Sequence, residues 1–124
     1  MAASIRIQAG DVSLVAELND SPTAAAILDA LPIEASGNRW GDEIYFSIPV
    51  REKAAPDARV DMEIGELAYW PAGTAFCIFF GPTPASDGDR PRAASPVNPI
   101  GRVVEDVEAL KAVPDGATVL IEKA

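Results

Sequence analysis

Apolar and polar residues alternate twice near the start of the chain. Ile5, Ile7 and Ala9 occupy every second position, and after Gly10-Asp11 the alternation resumes at Val12, Leu14, Ala16 and Leu18. Two period-2 runs around a Gly-X pair predict a β-hairpin, because glycine accepts the positive φ that a type II′ turn requires. Asn19-Asp20-Ser21-Pro22 ends the second run. Ser21 or Asp20 supplies an oxygen for an orphan amide, and Pro22 at the first helical position loses nothing by lacking a donor. Ala24, Ile27, Leu28 and Leu31 then recur at i, i+3, i+4 and i+7, predicting a helix over Pro22–Leu31 that Pro32 ends.

Further along, residues 33–40 read as a strand and Gly41-Asp42 as a turn. Ile44, Phe46 and Ile48 then alternate with Tyr45 and Ser47. Residues 51–59 are charged and rich in Ala and Pro, which predicts a surface loop. Residues 67–70 and 76–80 read as strands joined by Pro71-Ala72-Gly73, with Pro and Gly suited to the two central positions of a type II turn. Residues 81–99 carry five prolines and Asp87-Gly88-Asp89, predicting a long irregular loop. A strand over 101–105, an amphipathic helix over 106–113 and a closing strand at 119–121 complete the pattern. Short strands dominate, so the predicted architecture is a mainly-β barrel covered by two short helices. Its expected core is Leu14, Ile27, Leu28, Phe46, Ile78, Phe80, Val103, Leu110 and Leu120.

A length of 124 residues fits one domain, spanning 1–124, with a core that needs no metal or disulfide. Nineteen acidic against ten basic side chains leave a net charge of −9, which disfavours nucleic acid as a partner. The first residues lack the basic and apolar regions of a secretory signal, and no apolar run approaches a bilayer span. A cytoplasmic protein without a membrane partner is expected. The absence of histidine excludes Ser-His-Asp and Cys-His nucleophile arrangements. With a single cysteine, neither a disulfide within the chain nor a Cys-rich metal site can form, and no metal or cofactor is expected. Cys77 lies in an apolar run and is expected to be buried and unreactive.

Three segments carry a family resemblance: residues 40–50 (WGDEIYFSIPV), residues 64–81 (IGELAYWPAGTAFCIFFG), and the strand–helix–strand order of residues 101–121. Together they resemble a prokaryotic family with a cyclophilin-like fold and no established function. The resemblance implies a closed cyclophilin-like β-barrel. It is looser toward the peptidyl-prolyl isomerases of that fold, which carry a Phe-Phe-Ile strand followed by Trp-Leu-Asp-Gly-Lys-His. Setting Asp87-Gly88 on that Asp-Gly puts Phe76 and Cys77 on the two phenylalanines, Ala85 on the pocket tryptophan and Arg90 on the histidine side. The isomerase Phe-His-Arg strand falls on residues 33–40, where Arg39 is the one arginine. An isomerase stripped of an aromatic pocket wall loses part of its transition-state contact.

In cyclophilins the groove lies on the outer wall of the barrel, and the position matched by Cys77 belongs to it. Strand alternation separates Tyr45 and Ser47 from Ile44, Phe46 and Ile48, and separates Cys77 and Phe79 from Phe76, Ile78 and Phe80. The candidate ligand-binding residues are therefore Arg39, Tyr45, Ser47, Trp70, Cys77 and Phe79. The loop over 81–99 is expected to wall this groove, with Arg90 or Arg92 free to meet an anion. The expected function is a binding module for a peptide or small molecule, without efficient prolyl isomerase activity. A weak isomerase and an accessory subunit of an amide-cleaving enzyme are the alternatives.

Overall fold

The computed structural model describes residues 3–124. Strand β1 (Ala3–Ala9) pairs with β2 (Val12–Leu18) so that Ala9 faces Val12, leaving Gly10 and Asp11 as the two-residue turn. Gly10 takes φ +56°, as the sequence predicts. Helix α1 (Pro22–Ala30) starts at Ser21, whose hydroxyl accepts the Ala24 amide at 3.2 Å, and it buries Thr23, Ala24 and Ile27. Leu28 is half-buried at the edge of the same core.

The other strands are β3 (Ile33–Ser36), β4 (Asn38–Arg39), β5 (Glu43–Ser47), β6 (Arg59–Asp61), β7 (Glu66–Trp70), β8 (Ala75–Phe79), β9 (Arg92–Val103) and β10 (Thr118–Lys123). Every ladder is antiparallel, in the order β3-β10-β1-β2-β9-β7-β8-β5-β4, with β6 attached to β9. The two ends of that order, β3 and β4, are separated along the chain by Gly37 alone. The first pairs with β10 and the second with β5. No ladder joins β3 to β4 among the described residues, so hydrogen bonding does not close the sheet.

One face of the sheet carries the main core. Ile5, Ile7, Leu14, Ile44, Phe46, Leu67, Phe76, Ile78, Phe80, Val119 and Ile121 meet there, with Phe46 and Phe76 stacked at 5.3 Å. At one margin Asn98 is fully buried. Its amide donates to Thr23 Oγ1 and the Lys53 carbonyl, and its oxygen accepts from the Ala55 amide. Those bonds tie helix α1 and the loop after β5 to β9 and satisfy a polar group that burial would otherwise penalise.

Four local expectations are corrected. The second covering helix is a 3₁₀ turn, Glu108–Ala112, burying Leu110; five residues are too few to repay the cost of nucleating an α-helix. Leu120 is half-buried because the β10 register sends Val119 and Ile121 inward, a parity that three consecutive apolar residues conceal. Pro71–Gly73 is likewise a 3₁₀ turn, and the positive φ falls on Thr74, at +50°, not on Gly73. A Cβ at Gly73 would overlap the Trp70 ring, so glycine is there for close approach. The fourth is the proline-rich segment, whose second half is strand β9 from Arg92 onward. Pro96 sits where the β6 ladder is irregular, and Pro99 lies beside a bulge opposite β7, positions that lose little by lacking an amide donor.

Candidate functional site

The alternation of β5, β7 and β8 sends a second set of side chains to the outer face. Tyr45 stands opposite Cys77, Cys77 opposite Ala68, Glu43 opposite Phe79, and Trp70 opposite Ala75. Residues on adjacent antiparallel strands that face each other project to the same side. The first half of β9 crosses over this face, and Ala93 and Val97 join Met62, Ala68, Cys77 and Phe79 in a small second core. Tyr45 and Trp70 pack at its edge, edge to face, with ring centroids 6.2 Å apart and planes at 82°.

Between that edge and β9 lies a cavity of about 190 Å³, lined by Trp40, Glu43, Tyr45, Trp70, Cys77, Ala93, Ala94 and Val97. The Trp70 wall is held in place. The Trp70 indole rests on Gly73, and its Nε1–H donates to Ser95 Oγ at 2.6 Å. Glu43 is 5% exposed, and its side-chain partner is the Cys77 thiol. Burial pushes the Glu43 carboxyl from its ordinary 4.5 up to about 7, against a smaller lowering by the thiol's hydrogen bond. Burial also holds the Cys77 thiol well above its usual range, reinforced by the negative charge of Glu43 and by their hydrogen bond. Cys77 is 1% exposed and stays a thiol, the wrong form for a nucleophile or metal ligand. The cavity therefore offers aromatic faces and one buried acid.

Of the residues singled out in the sequence, Tyr45, Trp70 and Cys77 come together here. Phe79 is fully buried in the second core and does not line the cavity. Ser47 shares the outer face but is exposed at the far end of β5 and does not line the cavity. Arg39 is elsewhere. It faces Ile44, an inward residue, and so projects over the end of the main core, with its guanidinium carbon 5.1 Å from the centre of the Phe80 ring. It donates to the carbonyls of Gly41, Lys111 and Val113 and to Asp42. Arg39→Ala should thus destabilise the fold by about 2–4 kcal/mol, through orphaned carbonyls and a lost ring contact, read by urea unfolding. A change below about 0.5 kcal/mol would show the clasp to be idle.

Arg90 and Arg92 also point to neighbours rather than into the cavity. Arg90 pairs with Glu63, and Arg92 with Asp61 and Asp87. Glu43 and Trp40 are the lining residues that sequence reasoning passed over. Parity carried the signal for Glu43, since it lies two residues before Tyr45 on one strand. A larger open groove, about 820 Å³, runs past Glu17, Arg59, Glu63, Ile64, Glu66 and Arg102. Its charges are largely spent on each other: Arg59 grips Glu66 at 2.6 and 3.0 Å, and Arg90 takes Glu63. The smaller cavity has the carboxyl without a cation.

A family model described as cyclophilin-like matches residues 3–122. The chain belongs to the cyclophilin-like family. A hypothetical protein from Archaeoglobus fulgidus, known from a solution structure, is 45% identical. The TM-score is 0.85, and the match covers 99% of this chain and 95% of that one. No curated protein matches. Membership in the cyclophilin-like family thus brings a fold and a hypothetical archaeal protein of the same shape. Among the described residues, no helix is long and apolar enough to cross a membrane.

Proposed function

We propose that this cyclophilin-like domain is a binding module for a peptide or small molecule, acting through the cavity between Trp40, Tyr45, Trp70 and β9. The observation that carries this reading is a fixed, largely apolar hollow with one buried, hydrogen-bonding acid at its wall. Convergence of a few polar groups in an apolar pocket is the usual signature of a ligand site. The volume suits a ligand fragment or one peptide side chain rather than a drug-sized molecule. We also read the curled sheet as a barrel whose seam is the segment 33–39, shared between β10 and β5.

Efficient prolyl isomerisation is not part of this proposal. That chemistry asks for an arginine presented to the proline nitrogen, and Arg39 is committed to three carbonyls and Asp42. Ala85 and Arg90, the positions matched to the isomerase tryptophan and histidine, lie outside the cavity lining.

The test is occlusion. Ala94 lines the cavity yet is exposed, so Ala94→Trp should fill the opening without disturbing either core. Fragments that bind the native protein, detected by ligand-observed NMR, should lose binding to this variant. Undiminished binding of all of them would place the site elsewhere.

A further inference from the structure

Resting on the cavity being the binding site, we propose that its ligand is a small organic cation, an alkylammonium group held by Glu43 against the faces of Trp40, Tyr45 and Trp70. A carboxyl removed from water is ordinarily matched by a basic side chain or by several donors. Glu43 has the Cys77 thiol, a weak donor, and among the described residues no Lys or Arg lines its cavity. Arg39, close in sequence, is held at the Phe80 ring, and Arg92, next to the lining residue Ala93, is held by Asp61 and Asp87. Among the described residues, none supplies the positive charge that would complete the site.

The walls fit the same ligand. Tyr45 and Trp70 stand at right angles, and Trp40 adds a third ring to the lining. An aromatic ring's face carries negative quadrupole charge and attracts an alkylated cation, which is less strongly hydrated than a bare ammonium or metal ion. Trp70 is immobilised by Gly73 and Ser95, so the cage loses little entropy when it fills. A net charge of −9 raises the local concentration of cations over that of anions.

The experiment compares choline with 3,3-dimethyl-1-butanol, its neutral isostere, at about pH 8, above the titration of Glu43. Binding is followed through the Trp70 indole N–H and the Tyr45 and Cys77 amides by two-dimensional NMR. Choline should bind at those signals roughly tenfold or more tightly than the isostere. Glu43→Gln, which keeps the shape of the side chain, should erase most of that difference. A trimethyl-lysine peptide separates the two sources of such a group: tighter binding than choline marks a peptide partner, and equal or weaker binding marks a free metabolite. Equal affinity for choline and the isostere at these signals would overturn the cation while leaving the cavity as the binding site. Movement of none of these signals with choline, the isostere or any binding fragment would remove the cavity reading as well.

Discussion

Glu43→Gln should make the protein more stable at neutral and alkaline pH, by about 3 kcal/mol at pH 8, and should change little near pH 4. The sign follows from burial. The carboxyl titrates at about 7 when folded and near 4.5 as an ordinary glutamate, so the folded state holds the proton more tightly. Between those values the folded chain binds more protons than the unfolded one, and stability falls as pH rises. The contribution is fully present below about 4.5 and gone above about 7. Glutamine presents a neutral amide at every pH, so the variant's stability should lose this component of its pH slope. Urea unfolding of both proteins across that range reads the effect, and parallel curves would show that the carboxyl is solvated in the folded state. A stabilising loss of charge at one cavity residue is also what a group retained for binding rather than for folding should show.

Gly101→Ala carries the largest expected loss. A Cβ there would overlap the Glu17 carbonyl oxygen and sit 2.9 Å from Leu18 Cα, where β2 and β9 pair. Both obstacles are backbone, so no rotamer change relieves them. We expect a cost of about 4 kcal/mol, a large part of the stability of a domain of this size. The lesion should reach the cavity, because the same strand continues backward to Val97, Ala94 and Ala93 in its wall. Circular dichroism melts and soluble yield would register it. A variant within 1 kcal/mol of native would mean that β9 can shift away from β2.

Much of the fold could be read from the chain where alternation is clean. The hairpin at Gly10, the start of α1 at Pro22 and the two faces of β5 and β8 follow from period and turn chemistry, while the choice of Ser21 over Asp20 as cap came from the structure. The parity that placed Tyr45 and Cys77 together is the same parity that keeps Arg39 away from them, since Arg39 faces Ile44. Arg39 was drawn into the candidate groove by resemblance to a catalytic arginine, and its local register sends it to the end of the main core. β6 and the first half of β9 were hidden for a different reason. Pro96, Pro99 and a run of small residues erase the alternation, and bulges absorb the prolines in ways that no short-range pattern records. Parity puts Glu43 on the outer face with Tyr45, but nothing local in the sequence marks it as buried. It lines one cavity with Ala93, Ala94 and Val97 of β9, a long-range neighbourhood between segments some fifty residues apart.

We propose that the cavity beside Trp70, rather than the wider charged groove past Glu17 and Arg102, is where this domain meets its ligand. A fragment screen mapped on the assigned two-dimensional NMR spectrum tests that claim most directly. Fragments that bind should shift the Trp70 indole N–H together with the amides of Glu43, Tyr45, Cys77 and Ala94. Shifts gathered instead at Glu17, Ile64, Glu66 and Arg102, with the Trp70 indole unmoved, would contradict it.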